Sequence, residues 1–154
     1  MRNNLRYFAE IVFLMSKNFV ILAHPRSGST TLFNIFASQG VKIICEPFNS
    51  HSDTNYLDFW GKNGFTSALD LIFSKYDGMK HLFSFTTHEQ NIELISRCKT
   101  ILLYRINLID AALSFELAVK TNVWVDCDRY KNYDEQKVYL NPDAILRSEE
   151  HTSE

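Results

Sequence analysis

The chain has 154 residues, enough for one domain rather than two. An apolar fraction of 45%, with 12 Phe and 7 Tyr, excludes a disordered chain. Its 16 basic and 18 acidic residues leave a formal charge of −2, which argues against a nucleic-acid partner.

In chain order, Arg2 and Arg6 precede an apolar stretch at 8–15 that Glu10 interrupts. This stretch is too short to span a bilayer, and no small-residue cleavage site follows it. Residues 1–17 therefore read as a leader or as the product of a misassigned start. The patterned sequence begins at Asn18, and Met15 is the alternative first residue.

Phe19-Val20-Ile21-Leu22-Ala23 is a continuous apolar, β-branched run, the pattern of a strand buried on both faces. It ends at His24-Pro25, and a loop of small residues follows. Leu32, Ile35 and Phe36 then recur at helical spacing, with Gly40 as a stop. Residues 41–45 predict a second strand, closed by Glu46-Pro47. Residues 46–66, polar and aromatic, read as a long loop or short helices. Ala68, Leu69, Leu71, Ile72 and Tyr76 predict a helix ended by Gly78. A strand is expected over 79–85, then a helix over 89–96 with Ile92 and Ile95 inward. Another buried strand is expected over 100–104. Asn107 can cap the last helix, with Asp110 as its capping-box acid. Leu108, Ala111, Ala112, Phe115 and Ala118 would mark that helix's buried face.

Strands alternating with helices predict an α/β fold, a three-layer sandwich around a mostly parallel sheet. Cys45, Cys98 and Cys127 are far apart and have no CxxC partner. They predict reduced thiols, no zinc site and a cytoplasmic location. The last eight residues, 147–154, carry one Arg and three Glu and lack apolar periodicity. Without them the chain is formally neutral. They resemble the in-frame translation of a sequencing-library adapter and are expected to be a non-native tail.

The strongest signal is His24-Pro25-Arg26-Ser27-Gly28-Ser29-Thr30-Thr31, set between a buried strand and a helix. A helix start presents unpaired N–H groups and the positive end of the dipole, which together attract an anion. Ser27, Ser29, Thr30 and Thr31 add hydroxyls. Arg26 adds a permanent charge whose fork matches a phosphate or sulfonate edge. Gly28 lets the backbone approach a ligand closely. It is not a nucleoside-triphosphate loop of the GxxxxGK[ST] type, because Ser29 stands where the lysine should follow Gly28.

This segment resembles the 5′-phosphosulfate loop of sulfotransferases, in the Arg-Ser-Gly-Ser-Thr form common among bacterial and carbohydrate enzymes. A second element agrees: residues 102–108, with Arg105 at a strand end and Ser114 on the next helix, resemble the family's site for the donor's 3′-phosphate. Cys45-Glu46-Pro47-Phe48 resembles a third feature, a Glu-Pro at the end of the second strand, where some relatives place the general base. The resemblance covers about residues 18–124. It implies that 18–146 are the N-terminal part of a P-loop-like sulfotransferase domain. The implied co-substrate is 3′-phosphoadenosine 5′-phosphosulfate, and the acceptor is a small-molecule, carbohydrate or lipid-linked hydroxyl.

In that reading Arg26, Ser27, Gly28, Ser29, Thr30, Thr31, Arg105 and Ser114 bind the donor, while Arg26 and Glu46 do the chemistry. Arginine and the helix terminus can supply the positive charge, so no metal is expected. Strand-end positions independently group Arg26, Glu46 and Arg105, since open parallel sheets bind ligands at the carboxyl ends of their strands. His51 is the main rival to Glu46 as base, with His24, His81 and His88 behind it. Lys80 and His81 would line the cleft. Trp60 and Trp124 suit core packing better than stacking on a sugar. The competing functions are a nucleotide kinase with a degenerate phosphate loop and a non-catalytic nucleotide- or anion-binding module.

Overall fold

The computed structural model describes residues 17–50 and 55–121. The leader at 1–16, His51, Trp124, Cys127 and the tail at 147–154 lie outside the described residues. The chain divides into two compact units. Among the described residues, one comprises 17–24 together with Gly28–Leu103; the other joins Pro25–Ser27 to 104–121.

The first unit is an α/β sandwich. Its elements are β1 (Phe19–Ala23), α1 (Ser29–Ser38), β2 (Ile43–Cys45), α2 (Tyr56–Asn63), α3 (Phe65–Lys75), β3 (Gly78–Leu82), α4 (His88–Arg97) and β4 (Lys99–Leu103). The four strands are all parallel, in the order β2-β3-β1-β4. The run at Phe19–Ala23 is an interior strand with every residue buried, as its unbroken apolar pattern requires.

The pleat sends alternate residues to opposite faces. Phe19, Ile21 and Ile43 pack with Phe36 of α1 on one face. On the other, Val20, Leu22, Ile44 and Met79 join Phe48, Phe65, Leu69, Ile72 and Leu94 from the α2–α4 side. Gly78 is needed where it stands: a Cβ there would meet the Phe19 ring at 2.5 Å.

Several elements differ from expectation. Strand β2 is three residues long rather than five, because Asp77 takes the backbone of Lys42. Lys42 N donates to Asp77 Oδ2 at 3.0 Å, and Asp77 N donates to Lys42 O at 2.7 Å. Strand β3 stops at Leu82, and a 3-10 turn at Phe83–Phe85 follows. Asn91 holds that turn by donating to Phe83 O at 2.9 Å.

The expected face of α4 is out of phase, and that of α1 holds at Leu32 and Phe36 but not at Ile35. In α1, Ile35 is exposed while Leu32, Phe33 and Phe36 pack inward. In α4, Ile92 and Ile95 are exposed, and Leu94 is the buried residue. Strand β4 is not buried as expected; it lies at the edge of the four described strands, and Leu102 is 63% exposed. None of the described helices is long and apolar enough to cross a membrane.

In the second unit, α5 (Leu108–Thr121) starts with Asn107 as its cap. Asn107 Oδ1 accepts from Asp110 N at 3.3 Å, and Asn107 Nδ2 donates to Asp110 Oδ2 at 2.8 Å. Asp110 thus reaches the side chain of its capping partner rather than the backbone N–H of a capping box. Ala111, Ala112 and Ala118 are buried, but Leu108 and Phe115, expected inside, are exposed.

Candidate functional site

In the first unit, Gly28 holds the position before α1 with φ at 87°. A Cβ there would meet nothing within 4 Å, so glycine supplies the left-handed turn and relieves no crowding. No side chain caps the first turn of α1, and no acidic residue lies in it. The turn thus presents its amides and the positive end of the dipole without an internal counter-charge. Ser29 is buried, Thr30 half-buried and Thr31 exposed.

Lys80 of β3 reaches this helix start. Its side chain is only 4% exposed, yet it carries an ammonium in an interior strand. Lys80 Nζ donates to Thr30 Oγ1 at 3.5 Å and forms an ion pair with Glu46 Oε1. Glu46 directly follows β2, and its own N–H donates to Lys80 O at 2.7 Å. Asn49 Nδ2 donates to the second carboxylate oxygen, Glu46 Oε2, at 2.9 Å. Glu46 also adopts φ of 46°, in the left-handed region that costs a non-glycine residue roughly 1–3 kcal/mol. The carboxylate of the candidate base is therefore held by two partners, Lys80 and Asn49, in a strained turn. Asn49 escaped the sequence reading, although a polar amide three residues past Glu46 was visible. Lys80 carried a stronger signal, since a lysine inside an apolar strand demands a counter-charge.

His81, next along β3, belongs to the core. It is fully buried, its ring 5.7 Å from that of Phe48 and 6.2 Å from that of Phe85. Its Nε2 lies 3.0 Å from Thr86 Oγ1, whose own proton goes to Asn91 Oδ1 at 3.0 Å. Thr86 can only accept from the ring, so Nε2 carries the hydrogen and Nδ1 is a bare acceptor. That Nδ1 is buried without a partner. Burial, with Lys80 adjacent, lowers the imidazole pKa from 6.5 to about 4. A side chain so enclosed cannot reach an acceptor hydroxyl, so His81 is not a cleft residue and drops out as a rival base. His24 packs its ring, tilted by 56°, 5.2 Å from that of Phe83, and His88 opens α4 on the surface. Trp60 packs against Phe48 and Phe65, in the core as expected. Cys45 and Cys98 are free thiols with pKa values raised by burial, Cys98 to about 11, which leaves them poor nucleophiles.

In the second unit, Arg26 adopts φ of 64° and donates from Nε to Ser114 Oγ at 2.8 Å. Ser27 Oγ is buried and has no hydrogen-bond partner. Arg105 is exposed and donates from Nη1 to Asp110 O at 3.2 Å, in the first turn of α5. Loop residue Arg26 and helix residue Ser114 thus meet directly, while Arg105 bonds the backbone of the same helix. Among the described residues, no group of three or more His, Cys, Asp or Glu could hold a metal ion.

No protein-family model matches the chain, and no curated protein or solved structure matches it either.

Proposed function

We propose that this chain carries the donor-binding part of a P-loop-like sulfotransferase, which moves a sulfonate group from 3′-phosphoadenosine 5′-phosphosulfate to an acceptor hydroxyl. One observation carries the reading: the hydrogen bond between Arg26 and Ser114. These residues come from two separate sequence elements, one expected at the donor's 5′ end and the other at its 3′-phosphate. They lie 88 positions apart in the chain, yet they touch.

The remaining residues fit an anionic ligand. The first turn of α1 has no internal cap, and the Ser27 hydroxyl is buried without a partner beside Arg26. The non-glycine residues Arg26 and Glu46 hold left-handed backbones after β1 and β2, a strain that clusters at functional sites.

The bound donor supplies an activated sulfonate, whose bond from sulfur to the 5′-phosphate oxygen breaks as the acceptor oxygen bonds to sulfur. Arg26 supplies fixed positive charge for the charge that develops on the departing phosphate. Glu46 accepts the hydroxyl proton. One observation favours a second reading, that of a non-catalytic nucleotide-binding module: both Glu46 oxygens are already engaged.

Calorimetric titration of the full chain with 3′-phosphoadenosine 5′-phosphate tests the proposal. The wild type should bind, and Arg26→Ala or Arg105→Ala should each weaken binding by about 10- to 100-fold, the scale of a lost charge-assisted hydrogen bond. Absence of wild-type binding, or equal binding by all three proteins, would sink it. A preference for ATP with magnesium would select a kinase. Binding without sulfonate transfer to any hydroxyl acceptor would select the non-catalytic module.

A further inference from the structure

Lys80 is the one cation buried in the described sheet, and its partners tie the candidate base to the candidate anion site. A buried ammonium requires a counter-charge. Glu46 provides it from the end of the neighbouring strand, at the cost of a left-handed backbone. The same Nζ lies 3.5 Å from Thr30 Oγ1, on the uncapped first turn of α1. One ammonium therefore stands between a carboxylate and a helix start suited to an anion.

We propose that Glu46 is an internal stand-in for the donor's anionic group. A phosphosulfate arriving at the α1 start draws Lys80 away from Glu46 and onto the ligand. The carboxylate, still oriented by Asn49, is then released to accept a proton. Without donor, Glu46 is locked to Lys80 and cannot serve as base. The site thus favours donor first and acceptor second, and it protects the base from idle chemistry. This inference rests on the sulfonate-transfer reading for the identity of the anion; the lock itself rests on the geometry around Lys80.

Competition for Lys80 has a signature that a merely structural pair lacks: loosening the pair tightens donor binding. The probe is 3′-phosphoadenosine 5′-phosphate, titrated into the full chain and its variants, with a melting curve for each to establish folding. Glu46→Gln should bind about five- to tenfold more tightly than wild type. Glu46→Asp keeps the charge but draws the carboxylate back, so it should tighten binding in the same direction by a smaller factor. Lys80→Met should weaken binding, and in that background Glu46→Gln should have no further effect. If Glu46→Gln does not fold, Glu46→Asp decides.

Unchanged or weaker binding by Glu46→Asp overturns the lock, as does tightening by Glu46→Gln that persists without Lys80. Either result leaves the nucleotide-binding reading intact. A wild type that does not bind the probe overturns that reading instead.

Discussion

At the scale of single residues, His81 gives the sharpest test of the core. Its imidazole stays neutral in the folded chain down to about pH 4, whereas the unfolded chain protonates it near 6.5. Between those values the unfolded state holds the extra proton, so stability is full above about pH 6.5 and falls as the pH drops towards 4. The loss should approach about 3 kcal/mol, from 1.36 kcal/mol for each pH unit. Chemical denaturation at pH 7 and pH 4.5 should show the decline, and His81→Gln should flatten it. An unaltered slope in that variant would mean that other groups govern acid stability. The Thr86–Asn91 relay that fixes the tautomer was not legible in the sequence, where His81 read as a cleft residue. Nothing local marks a histidine as enclosed; Phe48 and Phe85 do that, and both reach it only through the fold.

Among the elements, α4 shows where periodicity fails. Its polar sequence offers Ile92 and Ile95 as the obvious inward pair, yet both face out. Helical phase follows the residues that bond at the start of the helix. Thr87 accepts from Gln90 N, Gln90 reaches back to Thr87 N, and Asn91 bonds the preceding turn. Gln90 and Asn91 are half-buried, and Leu94 lies on the same face, four residues beyond Gln90. Leu94→Ala should therefore cost about 2–5 kcal/mol, and Thr87→Ala about 1 kcal/mol. Ile92→Ser should stay within about 0.5 kcal/mol of wild type. Urea denaturation ranks the three, and an Ile92 variant as damaging as that of Leu94 would reverse the assigned face. Strand β1 was legible to the residue, because an unbroken apolar run has one meaning in an α/β chain. Helix α5 was legible at its start through Asn107, but less so along its face. The Glu46–Lys80 pair was hidden because it joins two strands that the sequence leaves far apart.

For the molecule as a whole, the strand order β2-β3-β1-β4 sets which parts resist opening. Strand β1 is bonded on both sides, to β3 and β4, whereas β4 lies at the edge of the four described strands with Leu102 exposed. Amide hydrogen exchange should be slowest in β1 and β3 and faster in β4. Protection of β4 equal to that of β1 would contradict the order. The sequence predicted parallel strands but not this arrangement, since strand order depends on which helix covers which face.

The register has a consequence for how the chain is made. Phe19 pairs with Gly78 and Lys99, so β1 has no strand partner until those later segments have emerged from the ribosome. At about 5–20 residues per second, the most apolar segment of the sheet waits on the order of seconds, unpaired, as synthesis continues. During that interval Phe19–Ala23 is the stretch most in need of a chaperone.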